Sequence, residues 1–545
     1  MFDETTSMKY DLSIIIPSRN EEFLKITIDD ILSKIEGNTE VIAILDGVWA
    51  SPAIPDHPRV TIIYHSESIG QRRATNEGVK LSQAKYIMKS DAHMLFDQGF
   101  DVKAMKPYND GELGHDCTQI FRMYNLHAFD WVCNKCGQAK YQGPTPGSLN
   151  KKGEVEPGCE KCDNPDDFTR KIIWKERRHK QTDFTRMEIE EDGSLRFKYW
   201  GSYKDRPEAK EKYPDVMCNL GACWFMERSR YWEIGGLDES HGSWGQMGIE
   251  ISCKSFLSGG RQVVNRDTWY SHLFRTQGGD FSMPWPQSGN QVANARKVST
   301  NLWLNNGWDK AIHRFSWFTN KFRPPGFATK GIIYYTDSEL DEEIAVKCRD
   351  QLLKSELPIV STSLKPLDFG TNITMDLERG KLTMFKQILA ALEESTADVI
   401  FFCEHDVMYH PTHFDFIPPE RDVYYYNLNI WKVDWPITKA LHYDCKQTSG
   451  LCGYRETLIT HYKERIRRVE TDGHTNKMGY EPGSHHRKER IDDLKSETWE
   501  SEVCNIDIRH DNNLTPSRWR KDQFRSQKNC RNWQEADKPP GWSEF

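Results

Sequence analysis

The chain has no apolar run of about 18 residues, so no membrane span is expected among its 545 residues. No leader is expected either. The opening Met1 to Asp11 is acidic and polar, without the basic and apolar regions of a signal peptide. The expectation is a cytoplasmic protein, in the host cytoplasm if the chain is viral. Nor is there an excess of positive charge. Lys and Arg number 73 against 81 Asp and Glu, a net charge of -8, which excludes a generally basic nucleic-acid coat protein. A local basic groove stays open. No close internal repeat is visible. With 37% apolar and 28% charged residues, the chain is neither disordered nor fibrous.

What is present begins with length. A chain of this size implies two or three domains. The 18 Trp are many, and they provide flat surfaces for core packing or for planar and sugar ligands. Most of the 14 Cys stand singly on apolar segments, while four form two CxxC pairs. In a reducing compartment that pattern reads as metal ligation.

Leu12-Ser-Ile-Ile-Ile-Pro17, Glu40-Val-Ile-Ala-Ile-Leu-Asp46, Val60 to Tyr64 and Tyr86-Ile-Met-Lys-Ser-Asp91 read as buried strands. Helical periodicity covers residues 21–35 and 70–84. The alternation predicts a doubly wound α/β sheet, whose ligands sit at the strands' carboxyl ends. Asp46, Asp91 and His93 fall there. Residues 166–215 are charged and poor in apolar periodicity. Pro324-Pro325-Gly326 reads as a linker. After it the pattern restarts, with strands at Gly331 to Asp337, Leu357 to Ser361 and Asp398 to Cys403. Helices are expected over 338–355 and 381–394. The expected domains are 1–325, with an insertion at about 127–168, and 326–545.

Asp91-x-His93 puts a carboxylate and an imidazole on one side of a strand end. That pair suits a divalent ion such as manganese or magnesium. The segment Leu12 to Asn20 with Pro17 and nearby Glu21, Asp46, and Gly70-x-Arg72-Arg73-Ala74 resemble family-two-like glycosyltransferases of GT-A fold. Asp91-Ala-His93 resembles the Asp-x-His motif of polypeptide N-acetylgalactosaminyltransferases. Gly221-Ala222-x-x-Phe225, Gly235-Gly236-Leu-Asp238, Trp244-Gly245 to Glu250, Ser271-His272-x-Phe274-Arg275 and Trp303 resemble further stretches of those enzymes. The resemblance covers roughly residues 10–125 and 216–320.

It implies a nucleotide sugar donor, UDP-linked, held at Pro17, Asp46, Arg72, Asp91 and Gly221. Asp91, His93 and His272 would ligate the ion. Trp244 and Arg275 would serve the transfer, Arg275 as a fixed charge on the diphosphate. One departure stands out. Gln246-Met247-Gly248 replaces the Gly-Glu-Asn of those enzymes. Either Glu250 or Asp238 substitutes for the missing acid, or the reaction is retaining, or the chemistry is altered.

Cys133-x2-Cys136 and Cys159-x2-Cys162, beside Gly137 and Gly158, suit a closed tetrahedral zinc site of structural kind. Such ribbons commonly dock nucleic acid or protein. Arg170, Lys171, Lys175, Arg177, Arg178 and Lys180 form a basic run nearby. In the second half, Glu404-His405-Asp406 resembles a variant Asp-x-Asp motif. Glu404 and Asp406 would point together at an ion and His405 away. His510 would close that site, and Asp337 would bind the donor. The tail from Arg509 to Arg531 has seven Lys/Arg against two Asp. The whole reads as a glycosyltransferase with two GT-A-like modules, moving one or two sugars onto a hydroxyl. The acceptor is DNA, such as a hydroxymethylated base in bacteriophage DNA, or a surface glycan or protein. A binding protein with inactive GT-A domains is the alternative of another class.

Overall fold

The computed structural model describes residues 9–150, 152–276, 278–285, 289–475, 478–484, 490–511, 513 and 517–542. Contacts divide the chain into one unit of residues 1–315 with 324–326, and a second of 316–323 with 327–545. The segment 316–323, expected before the linker, is thus counted with the second unit. Asn320 ties it there, donating Nδ2 to Lys330 O (2.8 Å) and accepting Lys330 N (3.0 Å) on Oδ1.

The first unit runs β1 (Tyr10–Ser18), α1 (Leu24–Lys34), β2 (Thr39–Asp46), β3 (Val60–His65), α2 (Gln71–Leu81), β4 (Ala84–Ser90), β5 (Met94–Phe96) and α3 (Phe100–Asn109). It continues with β6 (Cys117–Cys133), β7 (Ala139–Tyr141), β8 (Phe168–Thr182), β9 (Thr185–Ile189) and β10 (Leu195–Tyr199). Then follow β11 (Cys223–Glu227), α4 (Arg228–Glu233), α5 (Met247–Leu257), β12 (Arg261–His272) and α6 (Gly289–Leu304).

Its main sheet has the order β3-β2-β1-β4-β11-β6-β12-β5, with β7 and β8 added along β6. β3, β2, β1 and β4 are parallel, and β11 is antiparallel to β4. The parallel strands read as apolar runs because both faces are covered. Every residue of β2 is buried, and so are Leu12 to Ser18 of β1.

The charged region 166–215 holds β8, β9 and β10, against the expectation from its periodicity. β8 pairs antiparallel with β6 from Cys133↔Phe168 to Met123↔Thr182. Its apolar partners lie across the ribbon, covered by guanidinium groups. Arg170 stands over Phe23 and Phe129, Arg177 over Tyr141 and Arg178 over Trp269. Long basic side chains replace the alternation that normally betrays a strand.

After α7 (Phe315–Phe322), the second unit comprises β13 (Lys330–Tyr335), α8 (Glu342–Leu353), β14 (Ile359–Ser363), β15 (Thr371–Thr374), α9 (Lys381–Glu394), β16 (Val399–Glu404) and β17 (Val407–Met408). It goes on with β18 (Val423–Asn427), β19 (Ile430–Asp434), β20 (Ala440–His442), β21 (Leu451–Tyr454), α10 (Arg455–Asp472), β22 (Lys495–Trp499), β23 (Asn505–Arg509) and β24 (Gln534–Ala536). The sheet order is β15-β14-β13-β16-β21-β18-β22. Position for position this repeats β3-β2-β1-β4-β11-β6, including the antiparallel fifth strand. The repeat reaches a smaller feature. β5 follows β4 and pairs antiparallel with β12, while β17 follows β16 and pairs antiparallel with β23.

Candidate active site

In the first unit, β4 ends at Ser90 and the chain turns through Asp91-Ala92-His93 into β5. The β5–β12 register sets His272 opposite Met94. Three side chains therefore converge. His272 Nε2 lies 3.1 Å from Asp91 Oδ2 and 3.2 Å from His93 Nε2. Ligand atoms of all three lie within 4.8 Å of one another. His93 Nδ1 is 3.1 Å from Glu21 Oε2, so this nitrogen carries the proton and donates to the carboxylate. The Nε2 lone pair is then free to face His272. Two imidazole lone pairs and a carboxylate oxygen at such separations repel unless a proton or cation stands among them. The donor set fits a divalent ion.

Burial opposes ionisation of Asp91, but the Lys89 ammonium and the imidazoles outweigh it and hold its pKa below the carboxylate range. Burial lowers His272 to about 4, so its ring is neutral and able to ligate. Glu21 is also held low. Burial raises it, while His93 and Arg275 more than compensate.

The cluster opens into a cavity of about 320 Å³ whose lining includes Pro17, Asp46, Gly221, Trp244 and Arg275. Asp46, at the end of β2, already accepts from Ser68 Oγ (2.8 Å) and from the Ile69 and Gly70 amides (2.5 and 3.1 Å). It braces the loop before α2 while facing the cavity. Gly221 has a φ of 84°, and a methyl group there would stand 2.9 Å from Gly248 N. A methyl at Gly248 would stand 1.9 Å from Asn219 O. The glycine at 248 thus has a packing reason, since only glycine lets α5 start so near the 219–221 strand entry.

Arg275 lines the cavity but its Nη2 donates to Glu21 Oε1 (2.6 Å), so its charge is partly spent on that pair. Three expected site residues do not line the cavity: Arg72, Asp238 and Glu250. Glu250 is fully buried, accepting from Arg72 Nε (3.0 Å), Lys254 Nζ (2.9 Å) and Asp238 N (2.6 Å). Burial raises its pKa, but Lys254 and Arg72 dominate and keep it low, which unfits it as a base. Arg72 also donates to Gly242 O (3.0 Å) and Gly245 O (2.5 Å). The pair is a clamp that presents Ser243 and Trp244 to the cavity. Asp238 accepts from Ser240 N (2.9 Å) and lies 3.2 Å from His241 Nδ1, capping a turn. Trp303 is core, fully buried in α6, with Nε1 donating to Ser299 Oγ (3.0 Å).

Sequence reasoning gave no role to Lys89 or Glu21. Lys89 is buried, pairs with Asp91, and donates to Gly221 O (2.9 Å). Its signal was a lone lysine inside an apolar strand. The signal of Glu21, a carboxylate beside the first strand end, showed its place without its partner.

In the second unit the gathered ligands are His405, Asp406 and His510. His510 Nε2 is 3.3 Å from Asp406 Oδ2, which also accepts from Asn513 Nδ2 (2.7 Å). His405 was expected to face away. The strand ends at Glu404 and a turn occupies 405–406, so strand alternation no longer applies. Glu404 instead accepts from Tyr335 Oη (2.7 Å), and burial with the neighbouring Asp406 charge raises its pKa. Glu404 and Asp337 line the same cavity of about 190 Å³, with Asp337 paired to Arg379 (2.6 Å).

The four cysteines of the insertion come together. Cys133 Sγ is 3.6 Å from Cys162 Sγ, and Cys136 Sγ is 3.5 Å from Cys159 Sγ. A disulfide needs about 2.05 Å, whereas sulfurs at the corners of a tetrahedron around zinc stand about 3.7 Å apart. Asn164 Nδ2 donates to Cys133 Sγ (3.2 Å), which favours thiolate. The set fits zinc.

Residues 13–135 match the model of Glycosyl transferase family 2. The matched segment runs from β1 through the Asp91 motif to the first knuckle, and it supports a glycosyltransferase enzyme. The first unit has the GT-A type of fold. No curated protein sequence matches the chain. Among solved structures, it is similar to GalNAc-T7 with UDP, GalNAc and Mn2+, at 13% identity and TM-score 0.36, over 60% of this chain and 53% of that one. It is also similar to S. aureus TarS (10% identity, TM-score 0.32, 57% of this chain and 43% of that one). TarS 1-349 in complex with UDP-GlcNAc gives 12% identity and TM-score 0.33, over 57% and 71%. The chain thus spans about half the length of the GalNAc-T7 chain. No helix of the described residues is long and apolar enough to cross a membrane.

Proposed function

We propose that the first unit transfers a sugar from a nucleoside diphosphate, UDP in the first instance, to a hydroxyl acceptor. The observation that carries this is the Asp91, His93 and His272 cluster opening into a cavity walled by Pro17, Asp46, Gly221 and Trp244. Those three side chains would hold manganese or magnesium, which when bound neutralises charge developing on the leaving diphosphate. Glu21 fixes the His93 tautomer, Lys89 holds Asp91 ionised, and the Arg72–Glu250 clamp presents Trp244.

The acidic residues lining the cavity are Glu21, Asp46 and Asp91, and each is already engaged. Among the described residues that line the cavity, no free carboxylate stands ready as a base. This favours transfer with retention. The bond from the anomeric carbon to the diphosphate oxygen breaks, the bond to the acceptor oxygen forms on the same face, and the acceptor proton passes to the departing diphosphate. The same observation favours the second reading, a donor-binding unit without turnover.

The second unit carries a parallel site, with His405, Asp406 and His510 as ligands and Asp337 toward the donor. The exposed Lys171, Lys175 and Lys180 on β8 favour a polyanionic acceptor, such as DNA with hydroxymethylated bases, over a surface glycan or protein. Zinc in the four-thiolate site is structural in this reading.

Incubation of DNA, glycan and protein acceptors with a panel of nucleotide sugars and manganese, read by intact mass and by the anomeric coupling of the product, tests the proposal. Donor binding without transfer or hydrolysis would establish the second reading. His272→Ala is expected to abolish manganese-dependent UDP binding in calorimetry with the fold intact, and unchanged binding would refute the ligand set.

A further inference from the structure

The four-thiolate insertion does more than cap a ribbon. Its loop between the knuckles touches the segment that walls the donor cavity. Thr145 N donates to Asp280 Oδ1 (2.9 Å). A methyl group at Gly279 would stand 2.7 Å from Pro144 Cβ and 3.2 Å from Glu156 Oε1, so this turn lies directly on the insert. The next residue, Phe281, is buried and packs edge-on against Phe129 of β6 at 5.4 Å. Met283 and Trp285 then line the cavity, and Asn20 Nδ2 donates to Pro284 O (2.7 Å).

The insert side of this contact is itself tied to the thiolates. Gly147 N donates to Glu156 O (3.0 Å), Glu156 stands just before Cys159, and Cys159 N donates to Asn164 O (2.8 Å). Trp131 Nε1 donates to Gly143 O (3.1 Å), which seats the other end on β6. On the cavity side, the Arg275 guanidinium stands over Phe281 at 5.1 Å and pairs with Glu21, which holds His93. A continuous set of contacts joins the knuckles to the ion ligands.

We infer that the thiolate insert is a buttress for the outer wall of the donor cavity, with Asp280 and Thr145 as its positioning pair. The wall segment 278–285 opens on Gly278 and Gly279, both at positive φ, and glycine's wide backbone freedom leaves such a turn dependent on outside contacts for one conformation. The cluster orders the insert, and the insert orders the wall. This rests on the reading of the cavity as a nucleotide site.

The test uses the full chain with zinc retained, UDP and manganese as the probe, and hydrogen exchange over 278–285 as a second readout. Asp280→Ala should weaken UDP binding about tenfold and speed exchange of the wall, at unchanged zinc content and melting temperature. Asp280→Asn keeps an oxygen that accepts from Thr145 and should stay within about twofold of the parent. Lys161→Ala, at an exposed side chain of the insert that makes none of these contacts, should change neither readout. Parental exchange and affinity in Asp280→Ala would overturn the inference, and so would an equal loss in Asp280→Asn. Failure of the parent to bind UDP would instead refute the nucleotide reading, and the exchange readout would still decide the buttress.

Discussion

Glu21 accepts from His93 Nδ1 on one oxygen and from Arg275 on the other. A carboxylate in that place fixes which nitrogen of the imidazole is free. Partners of this kind typically change metal affinity 10- to 100-fold. Glu21→Gln is therefore expected to weaken manganese binding by about tenfold, read by calorimetric titration, with little effect on melting. Lys89 works from the other side. Breaking a buried ion pair by removing one member costs about 3 kcal/mol, because the remaining charge loses its partner. Lys89→Met should lower the melting temperature of the first unit and weaken manganese binding together. Equal stability in the variant would show that Asp91 finds compensation elsewhere. The ligands Asp91, His93 and His272 were legible because their motifs are short and sit at a strand end. Glu21 and Lys89 were not, because partners 72 positions away for Glu21 (His93) and 132 positions away for Lys89 (Gly221 O) leave no local pattern. Asp238 and Glu250 misled for a related reason. A carboxylate's sequence neighbourhood does not show whether a buried Arg and Lys have already taken its oxygens.

α1 carries Asp30, whose Oδ2 accepts from Phe96 N on β5 (2.9 Å). Burial raises this carboxyl from its ordinary 3.8 to about 6, more than the amide lowers it. The folded form thus holds a proton that the unfolded form releases. Below pH 3.8 both forms are protonated and the group is neutral toward stability. Stability falls as pH rises from there to about 6, and the full cost of about 3 kcal/mol is present at pH 7. Asp30→Asn removes that cost. It should raise the melting temperature of the first unit at pH 7 and leave it little changed at pH 3.5. The parallel strands β1, β2 and β4 were plain in the sequence because burial on both faces makes a run of one kind. β8 was hidden because one side faces water and the other is covered by arginine side chains. An element whose apolar partners sit on a different strand cannot be found from its own residues.

Across the whole molecule, one sheet order occurs twice, and in each unit a short strand after the fourth strand pairs with a late strand that ends at or just before a histidine, His272 at the end of β12 and His510 after β23. If both sites turn over, Asp91→Ala and Asp406→Ala should each remove a different product mass. Each carboxylate would hold the diphosphate-bound ion, so each loss should be about a hundredfold or more in rate. Unchanged products in Asp406→Ala, at unchanged melting temperature, would leave the second unit without turnover. The restart of strand, helix and strand-end acid after Pro324-Pro325 made this duplication legible. The detail of the second cluster was not, because a turn at 405–406 exchanged His405 for Glu404.

β6 is one strand from Cys117 to Cys133, pairing with β11 and β12 at its base and with β8 beyond. The insert is therefore the far end of a hairpin and not a separate module. Side chains alternate along such a hairpin, so growth or loss of the ribbon must keep Phe129 and its neighbours turned inward. Lengthening or trimming is tolerated in steps of two residues on each strand. An odd residue fits only where the register already slips, between Tyr124 and Asn125 or between His127 and Phe129. Among related chains, ribbon lengths at this place should differ by even numbers, and a single-residue deletion outside those two places should send the knuckles to the wrong face.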